Sequence, residues 1–399
     1  MSDAPIAVPV LGHRWSLGMI ALAALPLVLL AAFMALVFTT GSGFRPSTVP
    51  PVEVLTVQQV TLPRPGEMEV RVMNGGPSPV TIAQVAIDDA YWAFEADPGP
   101  LVPRLGSTTL RIPYPWVYSE PHEVMLVTES GLTFRGAVDV SLAQPKRDLP
   151  TALKFLLLGF YVGVVPVGLG MLWFPVVKRM GATSLSFVLS FTVGLLAFLL
   201  IDTLLEGLEA AERLPAGLHG VPLVLLGALL TMAAIEAISP SSSTARTPLR
   251  LAFLIALGIG LHNFGEGLAI GAAYTLGEVA LGTFLVIGFT LHNVTEGLAV
   301  ATPLVKGAPR PIHFVLLVLL AGAPAMLGTW VGVFAYSDLA TAIFFAIGAG
   351  AIAQVVYAVT RYTVRLSAHA AQPAVSATSL VGFAAGVGVM YLTSLLVTA

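Results

Sequence analysis

The stretch "LHNFGEGLAIG", residues 261–271, decides how the chain is read. A histidine, an asparagine and a glutamate stand in the middle of an apolar run long enough to cross a bilayer. An unpaired ionisable side chain at that depth costs on the order of several kcal/mol, so such a group marks a site by default. A second copy follows, "LHNVTEGLAV", at residues 291–300. Both copies fit L-H-N-x-x-E-G-L-A. The chain holds seven His and three Asn, and two of each lie in these copies, so coincidence is a poor account of them.

The spacing has a geometric consequence. Residues four apart share one face of a helix, so His262 and Glu266 form one pair and His292 and Glu296 another. A tight turn near Gly277–Ala280 makes the two helices antiparallel neighbours. A turn centred near residue 279 puts His262 level with Glu296, and Glu266 level with His292. At ~1.5 Å rise per residue, all four side chains then fall within about 6 Å of depth, near the bilayer midplane. Two imidazoles and two carboxylates converging there form a site for a first-row divalent cation: Zn²⁺, or Fe²⁺, Mn²⁺ or Co²⁺. The cation's charge offsets the two carboxylates. Asn263 and Asn293 are secondary metal contacts in this reading. Gly267 and Gly297 allow close helix packing.

The surroundings agree. Only 10% of the 399 residues are charged and 56% are apolar, which points to many membrane spans. The net charge of −3 gives no reason to expect a nucleic-acid partner. Cysteine is absent, which excludes disulfides, thiolate metal sites and cysteine nucleophiles. A first apolar run, Trp15–Phe38, follows His13 and Arg14. It is too long for a signal-peptide core and lacks a convincing small-residue cleavage site, so it reads as a retained leading span within a 1–40 segment, with a cleaved signal as the alternative.

From about 41 to 150 the pattern alternates. "EVLTVQQVTL", "EMEVRVMN", "VTIAQVAIDD", "TTLRIPY", "HEVMLVTES" and "LTFRGAVDVSLA" read as six or seven strands of a small β-sandwich, with a hairpin turn at "TESGLTF". Its polar residues Asp88, Asp89, Glu95 and His122 read as solvated loop positions. From 151 to 399 eight further spans follow, near 152–175, 184–208, 220–239, 250–274, 279–303, 312–335, 339–360 and 377–397. The fold class expected is thus a polytopic α-helical membrane protein: an eight-helix bundle preceded by one extra transmembrane helix and an external β-sandwich.

Orientation follows from Lys and Arg. With the β-domain outside, the inward loops carry Lys178 and Arg179, Arg246 and Arg250, Lys306 and Arg310, and Arg361 and Arg365. Arg213 is alone on outward loops between spans. Lys146, Arg147 and Lys154 count against the scheme, but the balance puts the N-terminus inside. Asp202, Glu206 and Glu209 recur at helical spacing toward the outer face, with Glu212 and Glu278 nearby. Asp202 and Glu206 are entrance candidates, set against a reading as a solvated helix end. Glu236, near the inner end of its span, is the exit candidate, set against simple solvation. His219, His313 and His369 lie near span ends and read as solvated.

At "HNFGEG" and "HNVTEG" in consecutive spans, the sequence resembles the ZIP (Zrt/Irt-like) metal transporter family over about residues 151–399. "FTVGLLAFLLIDTLLEGLE", with its acidic end, adds a weaker likeness. The resemblance implies eight spans with both ends of that unit outside, and divalent metal as substrate rather than cofactor. Several departures stand out. The family's proline before the motif Glu is replaced by Gly265 and Thr295. The further acidic residue of two-metal members is Ala323 here, before Pro324, which implies one main metal per protomer. Late in the seventh span stand Gln354 and Tyr357 instead of acids, and the histidine-rich loop is reduced to "SPSSSTARTPLR".

The reading is therefore an importer of divalent metal, zinc foremost, across the plasma membrane by alternating access. A membrane receptor that senses metal without moving it is the alternative. An intramembrane metallohydrolase fits less well: H-E-x-x-H is absent, and four ligands leave no general base. The β-domain has three roles open to it: a metal-capture lid, a homodimer contact or a docking module.

Overall fold

The computed structural model describes residues 17–40, 52–138, 140–238, 247–369, 373 and 375–398. His13, Arg14, Trp15, Arg246 and most of the serine-rich loop lie outside the described residues. The leading apolar run forms a helix, α1 (Leu17–Thr40), of 24 residues, with Pro26 inside it. Its described side chains from Leu25 to Leu36 are exposed.

Nine strands follow: β1 (Leu55–Arg64), β2 (Glu67–Asn74), β3 (Val80–Ile87), β4 (Ala90–Trp92), β5 (Glu95–Asp97), β6 (Leu101–Val102), β7 (Ser107–Ile112), β8 (His122–Thr128) and β9 (Thr133–Val138). One sheet has the order β1-β2-β7-β5. The other runs β4-β3-β8-β9, with β6 added to β3. All pairings are antiparallel. The inward positions alternate along each strand, as a half-buried strand demands. Met68, Val70, Val72, Leu110 and Ile112 of one sheet meet Ile82, Val85, Ile87, Val124 and Leu126 of the other in a single core. Each of the six sequence segments holds one of the longer strands. The count rises to nine because β4, β5 and β6 are two or three residues long, too short to show a period. The hairpin at "TESGLTF" joins β8 to β9, with Gly131 at φ +86°.

The remaining chain is helical: α2 (Leu149–Gly159), a π-helical turn at Phe160–Val164, α3 (Val165–Met171), α4 (Phe174–Val177), α5 (Ala182–Glu212), α6 (Gly220–Ile238), α7 (Pro248–Thr275), α8 (Val279–Ala301), α9 (Pro311–Phe334), α10 (Asp338–His369) and α11 (Ala377–Thr398). They supply eight stretches long and apolar enough to cross a membrane, from Leu149–Val177 to Ala377–Leu395. Start signals are local. Thr247 caps α7 by accepting from the Arg250 N–H, and prolines 248 and 311 begin α7 and α9, where a missing N–H costs nothing. The turn between α7 and α8 rests on Gly277 at φ +83°, where a β-carbon would be strained.

The spans sort into two groups. The α2–α3 span packs on α9 and α8, and α7 packs on α9. The second group joins α5 to α11 and α10, and α6 to α10, while α7 packs on α10 and α8 on α11 between the groups. Inside each group glycines bring backbones together. A β-carbon on Gly170 would collide with the Val294 carbonyl, one on Gly267 with the Ala325 carbonyl, and one on Gly194 with the Phe383 carbonyl. Between α7 and α10, across the groups, the closest contacts of Gly258 and Gly265 are side-chain atoms of Val355 and Phe345.

The β-domain sits on one end of the bundle. Gly75 abuts Pro215 and Leu105 approaches Gly217, just past α5, while the Val140 carbonyl faces Gly277. A cleft of about 230 Å³ separates β1 and β9 from the α7–α8 turn, and Glu278 lines it. Lys178, Arg179, Arg250, Lys306, Arg310, Arg361 and Arg365 all follow from the topology onto the opposite end.

Candidate metal centre

The paired motifs meet in the middle of the bundle. His262 and Glu266 lie one turn apart on α7, and His292 lies on α8. All three are at most 3% exposed. One ligand atom from each falls within 4.8 Å of the other two. Glu266 Oε1 accepts a hydrogen bond from His262 Nε2 at 3.0 Å and another from His292 Nε2. The two imidazole centroids are 6.4 Å apart. In a tetrahedral zinc site, donors at ~2.0 Å from the ion stand roughly 3.3 Å from one another. Small side-chain rotations separate the present cluster from that arrangement.

Glu296 lies one turn beyond His292, is 0% exposed, and falls outside the three-residue cluster. Neither of its carboxylate oxygens closes a hydrogen bond. The amide oxygens of Asn263 and Asn293 are buried and unpartnered as well. Buried acceptors almost always find a donor. Four such oxygens beside a His–Glu–His cluster match the oxygen ligands that a hard or borderline cation accepts.

The amide nitrogens of both asparagines are held. Asn263 donates to the Ala321 carbonyl of α9 at 3.1 Å. Asn293 donates to the Val162 carbonyl at 2.9 Å. Val162 stands four residues before Pro166, which has no N–H to return to it, so the carbonyl in the π-helical turn is left for Asn293. Anchored nitrogens turn the oxygens the other way. Asn293 also reaches Glu266 Oε2, at 3.4 Å.

Close packing around the motif is enforced by Gly267 and Gly297, whose β-carbons would strike the Ala325 and Val167 carbonyl oxygens. At the two positions where the family carries proline, Gly265 lies against the Phe345 ring, and the Thr295 hydroxyl donates to the His292 carbonyl at 2.7 Å. Thr203 of α5 was not singled out from sequence. Its hydroxyl lies 2.7 Å from His262 Nδ1. No motif marks it; it is one threonine in an apolar helix, found only once α5 and α7 are packed.

Asp202 and Glu206 flank Thr203 on α5, with Glu206 one turn nearer the β-domain. Both are partly buried, and Glu206 Oε2 has no hydrogen-bond partner. Both lie within electrostatic reach of His262, Glu266 and His292. Glu209 instead pairs with Arg213 at 2.9 Å. Toward the other end, Glu236 on α6 accepts from Gln354 Nε2 of α10 at 3.0 Å. Gln354 is 0% exposed.

One expectation needs correction. His122 is no solvated loop residue: it opens β8 and is 5% exposed. Asp88, in a turn of positive φ, reaches it at 2.7 Å, and that partner makes burial affordable.

Comparison with curated proteins finds no match. The family described as ZIP zinc transporter does match, over residues 236–394, from the end of α6 into α11. That interval holds both copies of the motif, so the family to which the paired His-Asn-x-x-Glu signature points is the family whose model matches residues 236–394: the ZIP zinc transporters.

Proposed function

We propose that this multi-pass membrane protein imports a divalent first-row metal ion, zinc foremost, across the plasma membrane by alternating access. The ligands are His262, Glu266, His292 and Glu296, with Asn263 and Asn293 as secondary contacts. The observation that supports this reading is the fully buried His262–Glu266–His292 cluster, carried on two helices of the bundle, with unpartnered oxygens around it. Carboxylate and imidazole together replace the water that the cation leaves behind. Protonation of either weakens the hold and lets the ion go.

The division we adopt is a leading segment at 1–40, an extracytoplasmic β-domain at 41–150 and a transport unit at 151–399. Excess Lys and Arg on the end away from the β-domain supports a cytoplasmic placement of that end and of the N-terminus. Metal then enters past the cleft near Glu278, meets Asp202 and Glu206, and leaves by Glu236 and Gln354. The glycine seams favour two rigid groups that move against each other, because backbone-to-backbone contacts within a group leave no slack. The seam between the groups runs between α7 and α10, beside His262. The ion is substrate, not cofactor, and no catalytic residue is assigned.

Flux into liposomes tests this. Glu266→Ala and His292→Ala should each abolish zinc uptake while the protein remains in the membrane; unchanged uptake kinetics overturn the site. Metal bound by the parent protein without transfer would point to a sensor instead. Competition by Fe²⁺, Mn²⁺ and Co²⁺ in the same vesicles ranks the substrates.

A further inference from the structure

Thr203 is 0% exposed, in the interior face of α5. Its Oγ1 stands 2.7 Å from the Leu199 carbonyl, one turn back on its own helix, and 2.7 Å from His262 Nδ1. A hydroxyl has one hydrogen to give. The carbonyl can only accept, whereas an imidazole nitrogen can accept or donate according to tautomer.

The other face of the ring sets which. His262 Nε2 lies 3.0 Å from Glu266 Oε1, an acceptor, so Nε2 carries the hydrogen in that pairing. In the neutral ring Nδ1 is then bare and receives the Thr203 hydrogen. A cation on Nε2 takes the lone pair there, and the neutral imidazole must then carry its hydrogen on Nδ1. Thr203 accepts that hydrogen and turns its own toward the Leu199 carbonyl. Both patterns use the same heavy-atom positions, and only the O–H rotates. Gly348 of α10 backs the pair: a β-carbon there would lie 3.4 Å from His262 Cα and 3.5 Å from Thr203 Cγ2. The ring is thus held between three helices.

We propose that Thr203 is a positioning residue for cation binding: a two-way hydrogen-bond partner that fixes the His262 ring and satisfies Nδ1 whether Nε2 faces Glu266 or the metal. The proposal rests on reading His262 as a ligand. It assigns a role to α5, which lies before the matched interval 236–394. Partners of this kind typically carry a 10- to 100-fold share of metal affinity.

The test is zinc uptake by the full chain in liposomes, with the metal alone as probe. Thr203→Val keeps the side chain's shape and removes the hydroxyl; it should raise KM about 10- to 100-fold and change kcat less. Thr203→Ser keeps the hydroxyl and should restore KM to within about threefold of the parent. Size-exclusion profiles in detergent report folding, and if the valine variant misfolds, Thr203→Ala against Thr203→Ser makes the same comparison. Unchanged KM in Thr203→Val, alongside lost uptake in His262→Ala, overturns this proposal and leaves the metal site standing. A serine variant as impaired as valine also overturns it, since the methyl group rather than the hydroxyl is then at work. Retained uptake in His262→Ala overturns the metal site itself.

Discussion

Among the described residues, two clusters are built from the same parts, one sealed in the bundle and one half-open in the β-domain. In the bundle, His262 lies between the Thr203 hydroxyl and the Glu266 carboxylate. In the β-domain, His122 lies 2.7 Å from Asp88 Oδ2, and the Tyr114 hydroxyl donates to the same oxygen at 2.7 Å. Each has a histidine, an acid and a hydroxyl. What differs is the state of the acceptors around them. Asp88 is satisfied on both oxygens, since Oδ1 receives the Glu123 N–H at 2.9 Å, and its side chain is 43% exposed. Glu296 is sealed from solvent with both oxygens unpartnered, and two amide oxygens beside it share that condition. A saturated acid is a structural tie. A set of unpartnered oxygens around a histidine pair is what a candidate binding site needs. His122 Nε2 is also buried without a partner, but a single nitrogen with its acid already engaged offers a cation one ligand.

The sharpest way to break this comparison is to neutralise one acid in each cluster. Glu296→Gln should lower zinc affinity on the order of 100-fold, because a charged ligand becomes a neutral one in a site that excludes water. Asp88→Asn should leave uptake within about twofold of the parent, since it touches nothing in the bundle's interior. Titration of uptake against zinc concentration for the two variants reads both. Comparable losses in the two would erase the distinction between tie and site.

The difference in legibility between these clusters is instructive. The bundle cluster announces itself because all its motif residues sit on two adjacent helices with one short turn, so helical periodicity and the Gly277 turn are enough to bring them together. The eight spans are legible for the same reason: each is a local property of about 20 residues. Thr203 is 59 residues from its partner, and Asp88 is 34 residues from His122. Neither pairing leaves a local trace. A histidine at the head of a strand reads as exposed until the Asp88 turn is seen to fold over it. The strands β4, β5 and β6 were missed in the same way, because two or three residues carry no period. The π-helical turn shows one level deeper. Pro166 alone predicts a lost backbone bond, but not that Asn293, from 131 residues away, takes the freed carbonyl.

The β-domain cluster makes a smaller, pH-dependent prediction. Burial works to raise the Asp88 pKa, but hydrogen bonds from the Glu123 N–H, Tyr114 and His122, with the charge on His122, outweigh it and hold the carboxyl below its ordinary 3.8. Tyr114 is pushed the other way, to about 12, by burial and by its bond to Asp88. A carboxyl with a lowered folded-state pKa stabilises the fold above its unfolded value, and that contribution is lost as pH falls through the folded one. The Asp88 contribution is therefore full at neutral pH and fades below 3.8. Asp88→Asn should cost the domain about 1 kcal/mol at pH 7, a modest figure for a partly exposed group. Hydrogen exchange of the β8 amides checks it: about fivefold faster opening in the variant at pH 7, and a difference that shrinks as pH falls below 3.8. A deficit that does not shrink on acidification would mean that shape, not charge, ties the turn to β8.

The mildest change sharpens the comparison from the side of the bundle. Glu266 and Glu296 together bring two negative charges, enough for one divalent ion. The oxygens of Asn263 and Asn293 add ligands but no charge, so a second ion beside the first has nothing to hold it against repulsion. Ala323 lies on α9, two residues from the carbonyl that anchors Asn263. Ala323→Glu adds a carboxylate next to Pro324. Elemental analysis of the purified variant should rise from one zinc per protomer to two, with the first site's affinity changed by less than about tenfold. A stoichiometry that stays at one, in a variant that folds, would show that ligand count rather than charge limits this centre, and that the unsatisfied amide oxygens belong to the first ion alone.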